Sequence, residues 1–286
     1  MTVCSMTVFG QNLAAQNLQW KIGKNEKLNY LCAMSDFDTG SVKFNFGGLF
    51  KALNDSSNNA LNETQSIFKK FNDVFKNYDF QTTLSSKKEG IVDIVMSGKP
   101  KASSDDADPE LQIDKQANDK KIMESMMQGV MLRGSVYAAG GIHSFWIKSA
   151  QKNLIALLFE LPSKPVKIGD KWSIDVDLIA NDQNFVCDSS YKINEVTLAD
   201  IKTINGETIA ILKYNIIEYV NGDFITPAFM NSKAQKTATM MKFAHQGIAE
   251  FSIDKGRWLS YNCIMSIEAT GIMTVTKTTK FTLSHE

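Results

Sequence analysis

The chain has 286 residues, and its 31 lysines and arginines balance 31 aspartates and glutamates, so there is no net positive charge to attract nucleic acid. Only Arg133 and Arg257 supply the guanidinium groups that read phosphates and bases best, which further disfavours a nucleic-acid partner. Hydrophobic residues make up 43% of the chain, which excludes general disorder, and no uninterrupted apolar run reaches the roughly 18 residues of a transmembrane helix.

The beginning of the chain leaves two interpretations open. Residues 1–12 are apolar with small side chains, like the end of a signal peptide, but they lack its cationic start and full apolar core. They are either a signal-peptide remnant or an ordinary first strand. We divide the rest into N-terminal hairpins plus a helix at 13–100, an acidic loop at 101–115 and an antiparallel sheet region at 116–286. Whether 13–100 and 116–286 form one continuous domain is left open.

Two hairpins are predicted in the N-terminal part. Residues 18–22 and 28–34 have strand-like composition and flank a polar turn, which favours a hairpin at the start. Residues 79–86 alternate apolar and polar side chains, and residues 91–96 resume as a strand after a turn that contains Gly90. We expect each pair of strands to lie side by side.

Between these hairpins the sequence predicts an amphipathic helix at 62–78. Asn62 and Gln65 fit a helix start, and apolar residues then recur at helical spacing. These residues are Ile67, Phe68, Phe71, Val74, Phe75 and Tyr78. The opposite face is only weakly cationic, so packing on the protein's own sheet is favoured over a lid or a membrane-surface helix.

The middle of the chain combines a loop, a methionine-rich segment and a second helix. Residues 99–110 are nearly devoid of apolar side chains, and their acidic cluster lacks the spacing of a calcium loop. Residues 113–131 have a loose helical period, while a turn at 138–141 predicts paired strands at 132–137 and 142–147. Residues 149–161 read as an amphipathic helix that ends at Pro162.

The C-terminal region predicts an antiparallel meander. Strand-like segments cover 172–179, 186–198, 208–220, 243–253, 259–269 and 272–283, and turn sequences such as Asn205-Gly206 and Asn221-Gly222 join some of them. Long neighbouring strands twist and curl, so a curved sheet or partial barrel is expected. We therefore predict an α+β fold in which amphipathic helices pack on a long-stranded, curved antiparallel sheet.

The four cysteines give no metal-site pattern. Cys4, Cys32, Cys187 and Cys263 are far apart and form no C-x-x-C pair, so zinc binding has no support. Cys187 and Cys263 could pair across a sheet, but buried free thiols are favoured. The disulfide state of Cys32, Cys187 and Cys263 is left open.

Candidate catalytic groups are few. His143 and His245 sit in strand-like stretches and His285 is near the terminus, so each of the first two is interpreted as a structural strand histidine. Asp175 and Asp177 would share one face of a strand, and a glycosidase acid pair is one interpretation of them. Exposure of both carboxylates to solvent is the favoured interpretation. We predict no catalytic, cofactor-binding or metal-binding residues and expect a protein that is not an enzyme.

One local motif resembles a known group. Leu161-Pro162 followed by Pro165-Val-Lys-Ile-Gly-Asp-Lys-Trp172 is similar to an element of uncharacterised secreted β-rich proteins of Gram-negative bacteria, a domain-of-unknown-function group. Residues 247–259 resemble the hairpin that follows in those proteins, although Ser252 replaces their usual Asp, so the resemblance covers about residues 130–285. It implies export to the periplasm or cell surface and assigns no catalytic residue. Apart from this resemblance, the residues of the motif by themselves predict a structural corner.

Three functions follow as expectations. The first is a non-catalytic binding or envelope-associated module whose apolar groove takes a lipid, another hydrophobic ligand or a partner chain. The second is a structural or interaction protein whose concave face is filled by its own helices. The third, rated lowest, is a hydrolase with an acidic pair.

Overall fold

The computed structural model describes residues 14–36, 78–101, 129–145, 149–179, 184–226, 235–272 and 274–285. These residues form eleven strands and one helix, α1, which spans Ser149–Phe159. The strands are β1 (Lys27–Asp36), β2 (Tyr78–Lys88), β3 (Ile91–Pro100), β4 (Val130–Tyr137), β5 (Ile142–Phe145), β6 (Lys171–Trp172), β7 (Phe185–Ile204), β8 (Glu207–Thr226), β9 (Gln235–Ser252), β10 (Arg257–Thr270) and β11 (Val275–His285).

All eleven strands belong to one antiparallel sheet. Their order is β5-β4-β3-β2-β1-β11-β10-β9-β8-β7-β6. Strands that follow one another in the chain therefore pair in the sheet, except that β5 and β6 lie at its two edges and β11 pairs with β1. The predicted antiparallel meander is confirmed, with β7 and β8 each reaching 20 residues. The N-terminal and C-terminal strands thus share one sheet.

The helix lies inside the curve of this sheet. Ile155, Ala156, Leu157, Leu158 and Phe159 are at most 4% exposed, so the second half of α1 is buried on every side. Side chains from strands near both ends of the sheet, such as Leu132 on β4 and Val196 on β7, belong to the same core. The sheet therefore curls around α1.

This arrangement corrects the predicted fold class. An α+β fold with amphipathic helices packed on a sheet is wrong, because the described part of the chain is nearly all β and contains one helix. The second half of that helix is enclosed by the sheet and presents no polar face, so it is not the amphipathic helix that the sequence predicted.

Several predicted elements fall wholly or mostly outside the described residues. The helix at 62–78 lies there except for Tyr78, which begins β2. Residues 1–12 and the acidic loop at 101–115, apart from Lys101, also lie there. In the methionine-rich segment, Val130 and Met131 belong to β4 rather than to a helix.

The predicted hairpin of 18–22 with 28–34 is wrong. Leu18 and Trp20 are buried as the alternation indicates, but residues 18–22 form no strand. Trp20 N donates to Ala138 O and Lys21 N to Gly256 O, so this extended segment meets the turns of two other hairpins. The alternation of apolar and polar residues determines which side chains are buried. The backbone hydrogen bonds depend instead on which other segments lie beside the chain.

The two Asn-Gly pairs have different roles. Asn205 and Gly206 form the predicted turn, with φ angles of 52° and 78°. The turn predicted at Asn221-Gly222 is wrong, because both residues lie within β8. A side chain at Gly222 would collide with the carbonyl oxygen of Val186, beside a bulge in β7. Gly222 is therefore explained by close backbone approach rather than by turn geometry.

The motif at 161–172 is a structural corner, as the residues themselves indicated. Lys167 N donates to Asp170 Oδ2 at 2.8 Å, and Gly169 has a φ of 91° that favours glycine. Gly169 N and Asp170 O then bond to Leu198 on β7. The corner thus places the strand that follows it, β6, at the edge of the sheet.

The strand predicted at 172–179 ends at Trp172. Ile174 and Val176 are buried, but side-chain amides take the place of a neighbouring strand. Asn194 Nδ2 donates to Ile174 O at 2.7 Å and Asn194 Oδ1 accepts from Ile174 N at 3.1 Å. Asn153 makes the same pair of bonds with Asp177. Two asparagines therefore hold this segment over the inner face of the sheet.

We predict that Asn194→Asp lowers the free energy of unfolding by about 1–3 kcal/mol, because the carboxylate cannot donate to the half-buried Ile174 carbonyl. Urea unfolding followed by tryptophan fluorescence measures this. Asn262→Asp, at an exposed position, is the matched control and should change stability by less than about 0.5 kcal/mol. Equal losses in both variants would contradict the role assigned to Asn194.

Candidate functional site

The buried end of α1 is held by three aromatic donors. Tyr261 Oη donates to Leu157 O at 3.0 Å, and Trp258 Nε1 donates to Leu158 O at 2.8 Å. Trp20 Nε1 donates to Phe159 O at 3.0 Å. Carbonyls in the last turn of a helix have no partner within the helix, and leaving them unpaired inside a core would be costly. The aromatic side chains allow the helix to end in an apolar interior.

His245 contacts Tyr261, one of these three donors. It is 1% exposed, and its Nε2 is 2.6 Å from Tyr261 Oη. The single proton of Tyr261 is directed at Leu157 O, so His245 Nε2 carries a proton and donates it to the tyrosine oxygen. The other ring nitrogen, Nδ1, then has a lone pair that meets no hydrogen-bond donor among the described residues.

The surroundings keep this histidine neutral. Burial lowers its pKa from 6.5 to about 4, because a charged imidazolium would lose its hydration. Burial also raises the pKa values of Tyr214 and Tyr261 well above 10, and that of the Cys263 thiol to about 12. All four groups are uncharged at neutral pH.

Beyond His245 the inner face of the sheet carries a half-buried apolar surface, which we call the inner patch. It consists of Val220, Met241, Phe243, Met265 and Ile267. These positions share a face with His245 and Tyr261, since side chains two residues apart on a strand point the same way. Each keeps part of its surface exposed although it points to the concave side.

A charged network borders the inner patch. Glu218, which faces Phe243 across β8 and β9, is 6% exposed and lies 2.9 Å from Lys192 Nζ. Lys192 also lies 3.0 Å from Asp177. Burial opposes the charge of Lys192, but its bonds to Glu218 and Asp177 together raise its pKa. The network closes one side of the patch and keeps its lysine paired.

The predicted acidic pair is brought to the same network. Lys152 bridges Asp175 and Asp177, and the Lys192 ammonium lowers the pKa of Asp177. A general acid needs a raised pKa, so this environment does not suit Asp177 for that role. Burial does raise the pKa of Glu160, whose Oε2 accepts a hydrogen bond from Asp175 N. That bond gives Glu160 a structural task at the end of α1.

His143 has a different setting from His245. Its Nδ1 is 2.9 Å from Ser135 Oγ, which is also 2.6 Å from Ser144 Oγ. The histidine is exposed, but Ser135 is only 2% exposed. A buried hydroxyl cannot attack a substrate from solvent, so this serine–histidine contact is explained as a polar link between β4 and β5.

The remaining sequence expectations concern thiols, metals and membranes. Cys32, Cys187 and Cys263 are free. Cys263 is buried as favoured, whereas Cys187 is exposed, and Cys32 is also buried. Within the described ranges no group of three or more His, Cys, Asp or Glu residues is placed to hold a metal ion. No helix among these residues is long and apolar enough to cross a membrane.

Sequence reasoning missed the connection between His245 and the inner patch. It interpreted His245 only as a structural histidine. One signal was available, because His245 follows Phe243 by two residues in the same strand and so had to share its face. Two facts depend on contacts between strands: Nε2 pairs with Tyr261, and Nδ1 meets no donor among the described residues.

Comparison with known proteins gave no relative. No family model matches the sequence, and neither the curated proteins nor the solved structures include a match. The resemblance carried by residues 161–172 therefore stays a prediction.

We predict that Tyr261→Phe lowers the free energy of unfolding by about 2–4 kcal/mol, because it leaves both Leu157 O and His245 Nε2–H without a partner in the core. Chemical denaturation provides the measurement. Tyr191→Phe removes a hydroxyl from a side chain that is 46% exposed and should change stability by less than about 0.5 kcal/mol. A loss for Tyr261→Phe no larger than for this control would contradict the capping role.

The lowered pKa of His245 predicts a pH dependence. The unfolded chain binds a proton below pH 6.5 and the folded protein only below about 4, so stability decreases as the pH falls through this window. The contribution of this group to the decrease is about 3 kcal/mol between pH 7 and pH 4.

Comparing wild type with His245→Phe isolates that contribution, since other titrating groups are common to both. Urea midpoints at several pH values should fall less steeply for the variant. Parallel curves would show that His245 does not titrate as its burial requires.

Proposed function

We propose that the protein is a non-catalytic binding module, exported to the periplasm or cell surface, whose inner patch holds a hydrophobic ligand. The supporting observation is that five large apolar side chains point to the concave side yet keep exposed surface. An apolar ligand laid on them would remove that surface from water at about 0.8 kcal/mol per buried CH₂ group. The proposed location rests on the resemblance of residues 161–172 alone.

The composition of the inner patch favours a flexible apolar ligand such as an alkyl or acyl chain. Met241 and Met265 have unbranched, polarizable side chains that adapt to irregular shapes. Val220 on β8, Phe243 on β9 and Ile267 on β10 add further apolar side chains at fixed positions on the sheet. On the side of β8 the paired charges of Lys192 and Glu218 limit the apolar surface.

A second candidate is a structural or interaction protein with a self-filled concave face. The observation in its favour is α1, which occupies the part of the concave side next to the inner patch and is buried on every side along its second half. The two proposals differ at the inner patch, because only the first requires these side chains to receive a ligand.

Binding of the neutral fluorescent probe N-phenyl-1-naphthylamine tests the first proposal. We expect saturable fluorescence enhancement with the wild-type protein, and a loss of affinity of about tenfold or more for Met265→Glu, because the carboxylate would have to be desolvated by the bound probe. Ile264→Glu is the matched control: it places the same charge on the opposite face of β10, where Ile264 is 44% exposed, and should leave binding unchanged.

Two results would count against ligand binding and favour the self-filled alternative. One is the absence of saturable binding by the wild-type protein, and the other is an equal effect of both glutamate variants. Native mass spectrometry of protein purified from its own cells provides a second measurement, with a retained apolar molecule as the expected result.

A further inference from the structure

His245 Nδ1 is a buried hydrogen-bond acceptor that the fold leaves unused. His245 is 1% exposed, and Nδ1 has no hydrogen-bond partner among the described residues. A buried acceptor without a partner destabilises the folded state, and protein interiors rarely keep one without a reason. The capping of α1 explains Nε2 but not Nδ1.

The tautomer follows from the hydrogen bonds around the ring. Tyr261 gives its only proton to Leu157 O, so Nε2 must donate to Tyr261 and Nδ1 must be the unprotonated nitrogen. Burial keeps the ring neutral at physiological pH, since it lowers the pKa to about 4. A group that meets Nδ1 must therefore bring a proton of its own, whereas a carboxylate or an ether oxygen would face a lone pair.

The position of the ring connects this acceptor with the inner patch. The two ring nitrogens of an imidazole point in diverging directions, so Nδ1 faces away from the Tyr261 hydroxyl that Nε2 contacts. Met265 faces His245 directly across β9 and β10, and Phe243 is the next residue on the same face of β9. Both belong to the inner patch, and the flexible thioether of Met265 can move aside to admit a ligand atom.

We propose that the ligand of the inner patch is an apolar chain that ends in a hydrogen-bond donor, such as a long-chain alcohol, and that His245 Nδ1 accepts its hydrogen bond. This inference rests on the proposed binding function and adds the chemical class of the ligand. The alkyl chain would cover the inner patch while the hydroxyl reaches the ring past Met265. Chains that end in an acceptor alone would bury the same apolar surface without this bond.

Displacement of N-phenyl-1-naphthylamine by 1-hexadecanol and by hexadecyl methyl ether tests the proposal, because the two share an alkyl chain and differ in the donor. We expect the alcohol to bind about tenfold tighter to the wild-type protein, as one buried hydrogen bond implies. His245→Phe keeps an aromatic ring but removes the acceptor, and it should bind both compounds with equal affinity.

A second measurement does not depend on a variant of this buried residue. In protein labelled with ¹⁵N-histidine, the alcohol should shift the Nδ1 resonance of His245 and the ether should not. The other two histidines, His143 and His285, lie on the exposed surface and serve as internal controls.

The outcomes separate this inference from the proposed function. Equal affinities of the wild-type protein for alcohol and ether would overturn the donor requirement while leaving the binding function in place. Tighter binding of the alcohol with an unchanged His245 resonance would overturn the role of Nδ1. Failure of the probe and of both compounds to bind would overturn the proposed function itself.

Discussion

The rest of the structure depends on how the C-terminal end of α1 is stabilised inside an apolar core. The last turn of α1 leaves carbonyl groups without helical partners, and the residues that carry them are buried in the core. Tyr261 and Trp258 on β10 and Trp20 in the segment before β1 each bring one donor to one of these carbonyls. Because the donors sit on large rings, the same side chains fill the core around the helix. Capping and packing are therefore achieved together.

Side chains replace backbone pairing elsewhere on the inner face as well. Asn194 and Asn153 bond both the N–H and the C=O of residues in the segment that follows β6, which a neighbouring strand would otherwise do. Lysines 152 and 192 then neutralise the carboxylates of that segment. Helix and segment are thus attached to the sheet by specific polar contacts and by the apolar core between them.

These attachments divide the concave side into two parts with different properties. Around α1 the interior is filled, and the carbonyls of Leu157, Leu158 and Phe159 at the helix end are paired. Beyond His245 the inner patch keeps apolar surface exposed, and Nδ1 of His245 has no hydrogen-bond partner among the described residues. The proposed ligand site lies where the helix no longer covers the sheet, which links the binding proposal to the way the helix ends.

The sequence by itself determined the presence of β7 to β11, the turns at Asn205-Gly206 and at Gly140-Gly141, and the burial of Leu18 and Trp20, because these follow from local alternation and backbone preference. The tertiary structure alone decided that 18–22 and 173–179 pair with no strand, that Gly222 serves close approach, and that α1 is enclosed. It also decided that His245 Nε2 meets Tyr261, while Nδ1 meets no partner in the part of the chain that the structure describes. Such features depend on contacts between residues far apart in the chain, and a local pattern carries no information about which distant donor, acceptor or carbonyl will arrive beside it.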